Sequence, residues 1–441
     1  MKKSTLVLVL IALVLGGFVY YYEFKRTPAA EKSEDTSKPA FNFPATDIAA
    51  LTLERAGQKI SFEKHGDDWL ITQPVETRAD RSVLEGIATD LASARVSRTF
   101  PAAADRLATY GLASPAVALE IKLKNGQQHR LQLGAKDFSG LSVYGIVDGA
   151  KDVALLPDTL LTSSDKPLDD LRDRSVLDVS AWDVTSFDLK NKSGEVSATK
   201  QSSGWHIEEP RSTAADAGEI ESLLAQVSSA KMTRVESEKA TDLAKYGLDK
   251  PEVALRVHDL KGEERGLLVG RKVGDDYYAR DSARPLVFRI NTDLYKKLGD
   301  ALFDLRDKNL IHLQRDQLTK AEIRNKNQTI VCQYGADNKW KLEVPADKKG
   351  KEVQSWKFFD PLDNARAQEI LDTPSSAILA KLAKPAVEVT LTDKSGKATK
   401  VSLSAESDGF VYARSGAGPE VYKLNKQILD DLNFQAADIL F

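Results

Sequence analysis

The chain of 441 residues has one cysteine, Cys332, so it cannot close an internal disulfide. Histidine is scarce too. His65, His129, His206, His258 and His312 are the five present, and no two stand three or four positions apart. There is no HExxH motif, no cysteine pair and no acidic calcium loop, so no metal centre is expected. An excess of one charge is also missing. The 62 Lys and Arg balance 65 Asp and Glu, for a net charge of −3. That gives nucleic acid no basic footing. GxxxxGK[ST], GxGxxG and GxSxG do not occur, so neither a nucleotide site nor a serine-hydrolase elbow is expected. We expect no catalytic group and no cofactor. Ser163-x-x-Lys166 reads as a chance match in a polar loop. Asp169, Asp170 and Asp173, and likewise Asp275 and Asp276, read as solvated faces.

Long apolar runs are missing with one exception, Thr5 to Tyr22 (TLVLVLIALVLGGFVYYY). As a helix it would span about 27 Å, close to the roughly 30 Å hydrocarbon core of a bilayer. Tyr20, Tyr21 and Tyr22 would sit at the interface. Residues 1–22 therefore read as a cytoplasmic tip and a signal anchor in the inner-membrane bilayer. Lys2 and Lys3 would stay inside and the rest of the chain would be extracytoplasmic. A cleaved signal peptide is the competing reading, but Gly16-Gly17-Phe18 makes a poor cleavage site. Residues 23–40 are polar, with Pro, Ser and charge but no apolar period, and read as a flexible linker.

The remainder repeats. Trp69, Trp205 and Trp340 lie 136 and 135 residues apart, in DDWLITQP, SGWHIEEP and NKWKLEVP. Pro74, Pro210 and Pro345 keep step. The first two copies share LATYGLASP and LAKYGLDKP, with Tyr110-Gly111 and Tyr246-Gly247, and then LDDLRD and LFDLRD. Three modules follow, over 41–176, 177–312 and 313–441, the last a divergent capping copy. What recurs packs cores and sets turns, so the repeat speaks for architecture first.

Within copy one, Leu51/Leu53, Ile60/Phe62 and Trp69/Ile71 alternate across turns at Ala56-Gly57 and His65–Asp68, predicting a three-stranded meander that Pro74 ends. Asp80 caps a helix carrying Leu84, Ile87 and Leu91, and Asp216 does the same in copy two. Val117 to Leu123 and Leu131–Leu133 flank Asn125-Gly126, a two-residue hairpin signal. A closing helix is expected near 158–171 and 291–305. In copy three Asp360-Pro361 should break the helix. The fold class is α+β, each module built of antiparallel β-hairpins with packed helices. Alternation with Ile71, Ile207 and Leu342 puts the three tryptophans on the apolar face, with sugar stacking as the alternative role. Tyr110 and Tyr246, in exposed-looking loops beside glycine, are the candidate partner contacts. Cys332 reads as a core thiol, and Arg172-Asp173 and Arg306-Asp307 as helix-end ion pairs.

The N-terminal anchor, W-x-I/L-x-x-P, Y-G-L-x-x-P and a following L-x-x-G (Leu131–Gly134, Leu267–Gly270) together resemble the bacterial family catalogued as domain of unknown function 4340. The resemblance covers most of 45–441. It implies membrane-anchored extracytoplasmic proteins, often encoded beside ABC-transporter components similar to the gliding-motility auxiliary type. It carries no catalytic residues over. The expected function is thus a non-enzymatic accessory or partner-binding component beside an ABC permease or another envelope protein. An envelope glycan-binding module is the alternative, and an unrecognised hydrolase comes third. Deleting residues 1–22 should release a soluble, folded fragment with cooperative thermal unfolding. An insoluble or unfolded fragment would break the modular reading.

Overall fold

A computed structural model describes residues 14–15, 18, 37–101, 106–416 and 418–441. Apart from Val14, Leu15 and Phe18, the anchor expected over 5–22 lies outside the described residues, as does linker 23–36. Among the described residues no helix is long and apolar enough to cross a membrane. The chain divides into two units, Met1–Arg174 and Ser175–Phe441. The fold is mostly β with some helices, an α+β arrangement of four antiparallel sheets.

The first unit is one module. Its nine-stranded sheet runs, edge to edge, Thr77–Arg78, Asp68–Gln73, Gln58–His65, Ile48–Arg55, Val117–Leu123, Gln128–Lys136, Ser142–Val147, Asp152–Pro157 and Arg98–Pro101. Leu51, Leu53, Ile60, Phe62, Trp69 and Ile71 are all buried on one face, as period-two alternation requires. The helix Arg81–Ser93 covers that face with Leu84, Ile87, Ala88 and Leu91. Asp80 caps it, accepting from the N–H groups of Ser82 (3.0 Å) and Val83 (3.2 Å). The helix start is pinned because Asp80 N–H also donates to the Leu171 carbonyl at 2.8 Å. The end of the module is thereby returned to its own helix.

The second unit holds the other two modules, each with its own sheet and core. A nine-stranded sheet spans residues 184–291 in the same strand order, under the helix Ala217–Ser229. An eight-stranded sheet spans 318–425 under Trp356–Asp363. The three apolar cores fall within 41–171, 176–305 and 310–439. The peptide bonds before Pro74, Pro210 and Pro345 are all cis, and the preceding strands end there.

Several expectations need correction. The Asn125-Gly126 turn is a three-residue loop, not a two-residue one. Leu123 N–H bonds the Gln127 carbonyl at 2.9 Å, and Gly126 takes φ +86°, the geometry of a type I turn followed by a left-handed residue. The same loop recurs at Gly262 and Gly396. A two-residue turn does form at Ala56-Gly57, both at positive φ, between paired Arg55 and Gln58. Each closing helix is two short ones, Thr159–Ser164 with Leu168–Leu171 and Thr292–Lys297 with Leu302–Leu305. Pro167 and Gly299 fall in the gaps, where helix breakers belong. Pro361, by contrast, sits inside Trp356–Asp363. An interior proline costs about 3 kcal/mol. Burying Phe358, Phe359 and Leu362 in the core returns about 1.5–3 kcal/mol each, so packing prevails. The linker ends before residue 40. Lys38–Pro39 pairs with Arg95–Val96, Arg95 Nε donates to Ser37 Oγ at 2.6 Å, and Phe41 and Phe43 are buried.

The recurring glycines explain the Y-G-L and L-x-x-G phrases jointly. The loop crosses the end of the neighbouring strand at backbone distance, and Ala135 N–H donates to the Tyr110 carbonyl at 2.8 Å. A Cβ on Gly134 would stand 2.2 Å from the Tyr110 carbonyl oxygen, and one on Gly270 2.1 Å from that of Tyr246. Module three has no such loop, and the matching place is filled by Ser404, which donates to the Ala405 carbonyl at 2.8 Å.

Within the second unit, the two modules meet through charge. Arg306, only 3% exposed, pairs with Asp372 at 2.9 Å. Arg211 joins Asp372 at 2.7 Å and Glu420 at 3.2 Å, and Arg366 reaches Asp216 at 2.7 Å. Burial alone would raise the Asp216 carboxyl, but Arg366 and the Glu219 N–H hold it below the usual range. The helix-end pairing expected for Arg306 with Asp307 is replaced by this cross-module contact. Asp307 instead accepts from Asn309 and lies against His312.

Gly270→Ala should destabilise the second unit by about 3 kcal/mol, because the methyl meets rigid backbone. Gly262→Ala has open space and pays only for positive φ, about 1 kcal/mol. Chemical denaturation of both variants checks this, and equal costs would refute the crossing argument.

Candidate interaction site

The repeated tryptophans are core residues. Trp69 is 1% exposed; its indole N–H donates to Glu85 Oε1 at 3.0 Å, and Lys64 Nζ bonds the same oxygen at 2.6 Å. Burial pushes the Glu85 carboxyl up, but the Lys64 and Trp69 bonds outweigh it and hold the group below its ordinary value. Trp205 packs on Phe187 at 5.8 Å, and Trp340 on Phe359 at 5.2 Å. A sugar platform built from these three rings is thereby ruled out.

The tyrosines are also enclosed, contrary to the exposed reading of their loops. Tyr246 is buried, edge-on to Tyr278 at 5.0 Å and clustered with Leu248 and Val287. Tyr110 is half-buried against Tyr144 at 4.7 Å and Phe100 at 6.2 Å. The rings fold down because Gly111 (φ +69°) and Gly247 (φ +70°) turn the loop back onto the sheet. Glycine beside tyrosine signals this turn rather than display.

Chemistry-bearing groups stay dispersed. His129 pairs with Asp148 at 2.8 Å and His206 meets Ser212 at 2.8 Å, in different modules. Asp169 forms an ion pair with the buried Arg172 at 3.1 Å, and Asp276 accepts from Thr233 at 2.6 Å. Among the described residues no group of three His, Cys, Asp or Glu could hold a metal ion.

Sequence reasoning missed the tip of module two. There Trp182 is 81% exposed and Leu260 72% exposed. Leu260 opens the three-residue loop after Val253–Asp259 and donates its N–H to the Asp183 carbonyl at 2.8 Å. That bond ties the backbone of Leu260 to the residue that follows Trp182. The same bond recurs as Lys124 N–H to Asp47 and Lys394 N–H to Gln317, both 2.8 Å. The equivalent pairs are therefore Thr46/Lys124 and Asp316/Lys394, polar in both other copies. Only the middle copy carries an aromatic and an aliphatic residue there. Aligning the copies position by position, rather than seeking what they share, would have revealed it.

These modules define a class: tandem antiparallel sheets, each roofed by one main helix. The model of the family described as Domain of unknown function (DUF4340) matches residues 69–208 and 205–385, and the chain belongs to that family. Both matches open on a repeat tryptophan, Trp69 or Trp205, so each begins at a module's third strand. No curated protein matches the chain.

Cys332 lies in the core of module three, and burial pushes its thiol up to about 12 from an ordinary value near 9. Between those values the folded state keeps a proton that the unfolded state has lost. This thiol's contribution to stability is therefore full below about pH 9 and falls as pH rises towards 12. Ellman's reagent should label no thiol in the native protein at pH 8 and one in denaturant. Rapid native labelling would show that the core opens.

Proposed function

We propose that the protein is a non-enzymatic, single-pass membrane protein whose extracytoplasmic modules bind an envelope protein, with the permease of an ABC-type transport system as the partner. The apolar run Thr5–Tyr22, with Lys2 and Lys3 before it, supports the anchor and the inside placement of the N-terminus. Anchoring holds both partners in one membrane plane and raises effective concentration without requiring strong contacts. The observation that carries the binding role is the exposed Trp182/Leu260 pair, confined to one copy of three. Tryptophan is enriched among interface residues that dominate binding energy, and a ring in an apolar pocket is worth about 2 kcal/mol or more. The ABC-type partner is supported by family resemblance alone.

The test is co-purification from gently solubilised membranes through a C-terminal tag. The wild-type chain is expected to bring a permease and its ATPase in stable proportion. The double variant Trp182→Ser, Leu260→Lys places at the tip the kind of residues the other copies have. Its thermal midpoint should be unchanged, as exposed substitutions usually shift stability by under about 0.5 kcal/mol. Its recovery of the permease should fall at least tenfold. Wild-type recovery alone, or with cell-wall fragments, would end the transporter reading. Equal recovery by the variant would remove the tip from it.

A further inference from the structure

Module three departs from the other two in the length of its helix. Fifteen residues separate the helix-start position from the next pairing residue in modules one (Asp80 to Arg95) and two (Asp216 to Lys231), but only twelve in module three (Gln354 to Arg366). The helix is 8 residues long against 13 in each of the others. Three residues of helix amount to about 4.5 Å. Beside this shorter helix a pocket of about 640 Å³ opens between Trp356–Asp363 and the helix Gln427–Leu432.

Its lining combines two kinds of surface. Pro361, Ile428 and Phe434 are apolar. Around them stand Asn364, Asn425, Gln427 and Asp431, with Trp356, 52% exposed, alongside. The polar groups are ordered by one another: Gln427 Nε2 donates to Asp431 Oδ1 at 2.8 Å, and Gln427 N–H to Asn425 Oδ1 at 2.9 Å. Both cations in the lining are engaged. Arg366 is paired with Asp216, and Lys357 Nζ donates to the Asp438 carbonyl. An anion would find no unpaired positive charge there.

The geometry points to a binding site for an uncharged saccharide. A sugar ring has an apolar C–H face that suits an exposed indole, and hydroxyls that both donate and accept. Carboxamides and the carboxylates of Asp360, Asp431 and Asp438 match those hydroxyls, and few convergent polar groups over an apolar floor suffice to orient a ligand. Ser82 and Gly218 hold the places corresponding to Trp356, two residues after the helix-start position, so the site belongs to module three. It is independent of the partner contact assigned to module two, because Trp182 and Leu260 take no part in its lining.

The full chain, in a sugar-free zwitterionic detergent, is titrated with chitotetraose, cellotetraose and maltotetraose by calorimetry and tryptophan fluorescence. At least one is expected to bind saturably with a blue shift. Trp356→Ala and Gln427→Ala should each weaken that binding at least tenfold. Trp356→Phe, which keeps a ring, should weaken it less than threefold. Circular dichroism and the thermal midpoint of each variant confirm that it folds. Absence of saturable binding to all three sugars overturns the proposal, as does binding that survives Trp356→Ala in a folded variant. Either result leaves the co-purification of a membrane partner unaffected, so the two readings fail separately.

Discussion

Each module depends on one backbone hydrogen bond that ties its last segment to the start of its helix. Asp80 N–H meets the Leu171 carbonyl, Asp216 that of Leu305, and Gln354 that of Ile439, at 2.8, 2.8 and 2.7 Å. A buried peptide group left without a partner is costly, so the end of the module cannot drift from this point. The helix is held over the sheet, the core closes beneath it, and the buried arginine that follows, Arg172 or Arg306, is delivered to one place. In module two that place is the cross-module ion-pair cluster. Such clusters add little net stability once desolvation is counted, yet breaking one leaves an unpaired buried charge. Their effect is to fix which surfaces meet.

The sheet faces divide the work. One face is apolar and roofed by the helix. On the other, charged side chains pair across strands, as Lys400 and Arg324 do with Glu388 between them. The Tyr-Gly-Leu loop lies against one strand end at backbone distance, so the loop glycine and the strand glycine it meets are a steric requirement of the crossing.

Much of this was legible because periodicity and capping are local. The meander, the Asp80 and Asp216 caps, the buried tryptophans and the core cysteine follow from alternation, helical spacing and side-chain chemistry. The errors arose where a distant neighbour decides the outcome. Pro361 stays helical because Phe358 and Phe359 must be buried. Tyr246 looked exposed because nothing nearby in the chain announces Tyr278 and Val287. Arg306 passes over adjacent Asp307 for Asp372, sixty-six residues on. The Trp182/Leu260 tip and the module-three pocket are differences between copies. A search for what recurs passes over them.

The connector seat carries a consequence for how such a chain can grow. Residues 38–39 pair with 95–96 in the manner in which Ser175 pairs with Lys231 and Asn309 with Arg366. Ala40, Val176 and Leu310 each donate to the carbonyl at the end of the main helix region, Ala94, Ala230 and Ala365. The seat therefore accepts a polar tether as readily as a strand arriving from another module. A duplicated unit inserted at residue 37 would meet a receiving edge already formed, with no core to redesign. Copy number can then change by whole periods of about 136 residues, and divergence inside one copy, as in the shortened helix of the third, leaves the joints of the others intact.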